Sequence, residues 1–122
     1  MERGHISITR DVVHVTLVGG TVWMSQHQIA DLLGVFYSKV SSNIRSIFKN
    51  KLLWENDVMH THHFDGGYVE LYNMEMITML AFRFDSPQAE VFRKWVIRKL
   101  LARERTPKPP MWLQLDMGSL PS

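Results

Sequence analysis

Two groups of residues in this 122-residue sequence carry side chains whose types and spacing could do chemistry. The first is Tyr37, Ser38, Lys39, Ser42, Arg45, Lys49 and Lys51. Within it Ser38, Ser42, Arg45 and Lys49 recur at the three- and four-residue intervals that keep side chains on one face of a helix. Hydroxyls and a guanidinium on such a face can hydrogen-bond base edges in the major groove, where each base pair shows a distinct donor and acceptor pattern. Ser38, Ser42 and Arg45 are placed to reach bases. Tyr37, Lys39, Lys49 and Lys51 are placed for phosphates, which fix register without reading sequence. The second group is His60, Thr61, His62 and His63, with Asp57 and Asp65 nearby. His60 and His62 would fall on one side of a strand, a spacing that can bind zinc or serve a metal-dependent nuclease. No carboxylate or cysteine follows at a spacing that completes a closed site, so solvent-facing strand histidines are the plainer account. No metal or other cofactor is expected.

Other chemistries are excluded by what the sequence lacks. There is no cysteine, which removes disulfides, thiolate zinc ligands and a thiol nucleophile, and fits a reducing compartment. No Ser, His and Asp arrangement suggests a triad. Gly19-Gly20 is not followed by the Lys-Ser/Thr of a phosphate loop. An enzyme is therefore not expected. The net charge of +2 is too small to argue a partner from the total. Its distribution says more. No acidic residue lies between Asp31 and Glu55, where Lys39, Arg45, Lys49 and Lys51 fall. None lies between Glu90 and Glu104, a stretch holding Arg93, Lys94, Arg98, Lys99 and Arg103. Local basic surfaces of this kind attract phosphate. The first residues lack the apolar core of a signal peptide, and no segment reaches the length of a membrane span, so a soluble, cytoplasmic protein is expected.

The elements that must position these residues can be read from periodicity. Residues 8–18 alternate apolar and polar, which predicts a strand. Gly19-Gly20 predicts a two-residue turn, with Thr21–Met24 returning as its partner. Ser25 and Gln28 have the spacing of a capping box and open a helix over 26–33 that Gly34 stops. A second helix is expected over 38–49, with Val40, Ile44, Ile47 and Phe48 as its apolar stripe. A second hairpin follows, Val58–Phe64 and Tyr68–Tyr72 about the turn Asp65-Gly66-Gly67. Asn73 caps a third helix carrying Met76, Ile77 and Leu80. Ser86-Pro87 opens a fourth helix that runs to about Arg103 with Phe92, Trp95, Val96 and Leu100 on its core side, while Ile97 and Leu101 face elsewhere. Trp23 and Trp95 read as core anchors, and Met74, Met76 and Met79 as fillers of core gaps. From Thr106 the chain holds four of its five prolines and no period.

Two short helices joined by a tight turn match a helix-turn-helix. Ala30 stands where the helices pass too closely for a large side chain, and Gly34 stands in the turn. Asn43 departs from the pattern at a position usually apolar, with Ile44 beside it to take over. The stretches TVWMSQHQIADLLGV, IRSIFKN and YNMEMI resemble the virulence-associated RhuM family of bacterial proteins. SPQAEVFRKWV resembles the end of the Bro-N domain of phage antirepressors. The likeness runs from about Ile8 to Arg103 through Trp23, Gln26, Ala30, Gly34, Phe48, Tyr72, Ala89, Phe92 and Trp95. It implies a prokaryotic or phage DNA-binding module without catalytic residues, one that often precedes a variable second domain.

The expected fold is α+β and winged-helix-like: an N-terminal β-hairpin, the helix-turn-helix, a second hairpin as wing and two closing helices. Residues 1–105 form the domain and 106–122 a flexible tail or linker. The expected function is binding of double-stranded DNA through helix 38–49, in transcriptional regulation or antirepression. The alternative is a protein-interaction module that binds a repressor or host factor. A homodimer contact, or docking of a missing C-terminal domain, is expected on helix 87–103, because that helix carries apolar residues on a second side.

Overall fold

Alternating apolar residues near the start of the chain do produce a hairpin, but it closes earlier than the glycine pair suggests. The computed structural model describes residues 2–104, in which β1 (His5–Thr9) pairs antiparallel with β2 (Val12–Thr16). Ile6 faces Val15 and Ile8 faces Val13, and Ile6 is buried in the core. Arg10-Asp11 makes the turn, with Arg10 at φ 56°. The expectation of one strand over 8–18 with its partner at 21–24 is thus corrected. Gly19-Gly20 does turn tightly, and Val18 and Thr21 exchange backbone hydrogen bonds of 2.9 and 3.3 Å. The ladder ends there because residues 23 and 24 are paired elsewhere. The Trp23 N–H donates to the Arg3 carbonyl (2.8 Å), and Met24 exchanges bonds of 2.9 and 2.8 Å with Tyr72. Backbone groups spent on those partners are not free for a hairpin, and the segment instead stitches the two hairpins together.

Ser25 opens α1 (Gln26–Leu33) with both halves of the capping box. The Gln28 N–H donates to Ser25 Oγ (3.2 Å) and the Ser25 N–H to Gln28 Oε1 (2.9 Å). Gly34 ends the helix at φ 65°, and the Val35 N–H returns to the Ala30 carbonyl at 3.1 Å, which satisfies an orphan acceptor. A Cβ at Gly34 would lie 2.5 Å from the Gln88 side chain, so the turn is also packed from outside. Next, α2 (Tyr37–Lys49) buries Val40, Ile44 and Ile47. Asn43 turns its amide onto the Lys39 carbonyl (2.8 Å), and Ile44 fills the core in its place.

A one-turn helix, α3 (Glu55–Val58), comes next and takes up Val58, the residue expected to open the following strand. It leads into β3 (Met59–Phe64), paired with β4 (Gly67–Tyr72) about an Asp65-Gly66 turn. Asn73 caps α4 (Met74–Ala81) by accepting from the Met76 N–H (3.3 Å). Ser86 then opens α5 (Pro87–Glu104): its Oγ accepts from the Ala89 N–H (3.1 Å) and donates to the Leu33 carbonyl, tying the start of α5 to the end of α1. Arg93 donates to the Ala81 carbonyl (2.8 Å), which the end of α4 leaves without a helical partner, and to the Phe84 carbonyl in the α4–α5 connection.

The described residues form an α+β fold of two separate two-stranded sheets and five helices around one apolar core. That core runs from Ile6 and Val22 through Ile29, Leu33, Ile44 and Ile47 to Met76, Leu80, Phe84 and Phe92. Met74, Met79 and Trp95 pack on its edge; Trp23 is half-buried, its ring edge-on to His60 at 5.9 Å. Leu100 is not on a core side: it is 60% exposed, and residues 97–102 are all exposed. The reason is length. With 18 residues, α5 outruns its helical partners α1 and α4, which have eight each. No helix among the described residues is long and apolar enough to cross a membrane. The tail expected over 106–122 lies outside the described residues.

Candidate nucleic-acid interface

Successive residues of a helix turn by about 100°, so burying Val40, Ile44 and Ile47 sends Ser38, Ser42, Arg45 and Lys49 to the opposite side of α2. All four are exposed. Each is held by the geometry that buries the stripe, because a rotation of α2 that hid them would expose its core. The Ser42 hydroxyl donates to the Lys39 carbonyl (3.2 Å) and keeps its lone pairs for an incoming donor. The Arg45 guanidinium donates one N–H to Ser41 Oγ (2.9 Å), one turn earlier, and retains four of its five donors. No acidic side chain pairs with Arg45, Lys49 or Lys51 among the described residues. Arg45 is thus tethered through one end of its fork, with the other donors open to a partner.

The remaining predicted residues divide. Tyr37 stacks on His27 of α1, ring centroids 4.2 Å apart and 22° from parallel, which clamps the start of α2 to the preceding helix. Lys39 sits on the other shoulder of α2, its ammonium 5.6 Å from the centroid of the buried Phe84 ring. That contact draws it toward the α4–α5 junction and away from the Ser38–Lys49 stripe. Lys51 lies just past α2 with a left-handed backbone at φ 57°. Its N–H meets the Phe48 carbonyl (3.1 Å), and the Leu52 N–H meets that of Ile47 (3.0 Å). Three residues around the stripe were not anticipated. His27 and Ser41 are its supports, and their spacings of ten residues to Tyr37 and four to Arg45 were the available signals. The third is Phe36, the N-cap of α2, which makes no side-chain capping bond and is 84% exposed.

The second basic segment is a weaker candidate. Arg93 is turned inward onto carbonyls. Lys94 is paired with Glu90 at 3.0 Å, which holds that carboxyl below its ordinary range, and Lys99 lies over the Trp95 ring at 5.7 Å. The β3–β4 hairpin carries Asp65 and Glu70, no Lys or Arg, and exposed Phe64 and Tyr68. No three His, Cys, Asp or Glu side chains converge there or elsewhere among the described residues. His60 meets Trp23 and His63 meets Tyr68 instead. Gln26, the first residue of α1, donates to Tyr72 Oη (3.2 Å) and buries its own Oε1 without a partner. Burial pushes the Tyr72 phenol above its ordinary value, against the opposing Gln26 bond.

No curated protein and no solved structure gives a significant match to the chain. One family does: residues 11–102 match Bro-N, the N-terminal domain of the BRO family. The Bro-N likeness, expected only near SPQAEVFRKWV, therefore spans nearly all the described residues, and the RhuM likeness expected over the earlier stretches finds no support. The α1–α2 pair, the β3–β4 hairpin and most of α5 fall inside that match, as does β2 of the first hairpin, and the chain belongs to the Bro-N family, one associated with DNA-binding and phage antirepressor proteins.

Proposed function

We propose that this Bro-N domain reads duplex DNA by laying α2 in the major groove, as a cytoplasmic transcriptional regulator or antirepressor without catalytic activity of its own. One observation carries the reading: Ser38, Ser42, Arg45 and Lys49 share the face of α2 opposite its buried stripe, on a stretch free of acidic residues from 32 to 54. Arg45 reads guanine through its O6 and N7, the two serines contact neighbouring base edges, and Lys49 and Lys51 bind phosphate. Tyr37 and Lys39 act from the shoulders. The β3–β4 hairpin serves as an aromatic and histidine-bearing wing with no fixed positive charge.

The exposed Ile97, Leu100 and Leu101 on α5 favour a second contact, which we assign to a homodimer. A dimer would present two α2 helices to two half-sites. The same apolar face favours the competing reading, a module whose partner is a protein. Selection of bound duplexes from a random oligonucleotide pool, followed by salt titration of the winner, separates the two. A consensus sequence whose affinity falls steeply with salt supports DNA reading. A pool that stays random, with no salt-dependent binding to any duplex, hands the case to the protein partner.

A further inference from the structure

The feature the DNA reading leaves unused is Phe36. It is 84% exposed, more than any other large apolar side chain among the described residues. A single exposed apolar residue is ordinary, but this one departs from expectation in two further ways. It occupies the N-cap of α2, where Ser, Thr, Asp or Asn would satisfy an orphan backbone N–H, and it makes no capping bond. It also stands two residues before Ser38 at the N-terminus of α2, bordering the Lys39 shoulder, and the N-terminal residues of a recognition helix are the ones that contact base edges. The backbone around it is fixed. Gly34 is locked by its left-handed φ and by Gln88, the Tyr37 ring is stacked on His27, and the Lys39 and Val40 N–H groups both return to the Phe36 carbonyl (3.0 and 3.3 Å). The ring is therefore presented on a rigid turn.

A phenyl ring cannot pair with the hydrogen-bonding edges of the groove. The apolar group the major groove offers is the 5-methyl of thymine. We infer that Phe36 is a specificity residue that packs on a thymine 5-methyl, next to the base pairs contacted by Ser38 and Arg45. The inference rests on the DNA reading and deepens it. In the free protein the ring meets water, and on the correct duplex it covers a methyl group that cytosine lacks.

The test uses the full chain and its selected duplex, with each thymine replaced in turn by deoxyuridine, which lacks only the methyl. The wild type should lose affinity by about fourfold at one thymine, the factor expected for one buried methyl group, and 5-methylcytosine should bind better than cytosine there. Phe36→Ala should bind thymine and uracil duplexes equally at that position, while Phe36→Leu should keep part of the preference. A selected site with no required thymine, no methyl dependence at any position, or a methyl dependence that survives in Phe36→Ala each overturns the inference while leaving DNA reading intact. A wild type that binds no duplex overturns both.

Discussion

Replacing Lys51 by glycine should make the protein more stable and a weaker DNA binder. Lys51 holds φ 57° at the position where a helix end favours glycine, and the bonds from Lys51 to Phe48 and from Leu52 to Ile47 fix it there. A non-glycine residue in that region costs about 1–2 kcal/mol. Glycine recovers this but adds about 0.4–1 kcal/mol of unfolded-state freedom, so the net gain is about 0.8 kcal/mol at mid-range. For a domain near this size that corresponds to a rise in Tm of about 2–8 °C. The same substitution removes one phosphate contact and should lower the salt slope of binding by about one unit. Lys51→Ala separates the two effects, since it loses the charge but keeps the strained backbone. It should weaken binding as much as glycine does and leave Tm near the wild-type value. Calorimetry and fluorescence anisotropy at several salt concentrations provide both readouts. An unchanged or lower Tm for Lys51→Gly would refute the strain argument, and an unchanged salt slope would refute the phosphate contact.

Arg93→Ala should destabilise the fold by about 1.5–3 kcal/mol, the scale of hydrogen bonds from a charged donor, because it strands the carbonyls of Ala81 and Phe84; denaturant titration measures it, and a neutral outcome would mean that water satisfies them. Leu101→Glu should lower the mass seen by light scattering toward a monomer; a wild type that is already monomeric at high concentration rules out the α5 dimer. Tyr72 is pushed up by burial, so the folded state holds its proton more tightly than the unfolded chain. Its contribution is full below the unfolded value near 10 and is lost as pH rises through the folded value. Tyr72→Phe should therefore flatten the alkaline fall in stability, and identical pH profiles for the two proteins would contradict this.

Short-range signals account for most of what the sequence made legible. Ser25 with Gln28, Gly34, Asn73 and Ser86-Pro87 each act within a few residues of chain, and each marks its helix end in the structure. The stripe of α2 was legible for the same reason, and with it the exposure of Ser38, Ser42, Arg45 and Lys49. What escaped depends on partners distant in sequence. Residues 21–24 look like a returning strand, yet Arg3 and Tyr72 claim their hydrogen bonds. Arg93 reads as part of a basic surface, yet the end of α4 lies where its guanidinium can reach. Lys39 resembles its neighbours in charge and spacing, but Phe84 draws it aside. Leu100 fits the apolar period of α5, but the period continues beyond the elements that could cover it. The Arg10-Asp11 turn carries none of the glycine or asparagine that marks hairpins, and Arg10 takes a positive φ that its type does not announce.

The central claim is that α2 reads bases and not charge alone, and Arg45→Ala beside Lys49→Ala tests it most directly. Both substitutions remove one positive charge from the same exposed face. Affinities should be measured on the selected duplex and on random duplex, each at several salt concentrations. Arg45→Ala should lose about 1–3 kcal/mol on the selected site, relax preference at one base pair and leave random binding nearly unchanged. Lys49→Ala should weaken both duplexes alike and lower the salt slope by about one unit. Equal losses from the two variants on both duplexes would contradict base reading and reduce α2 to a non-specific patch, and no loss from either would remove α2 from the interface.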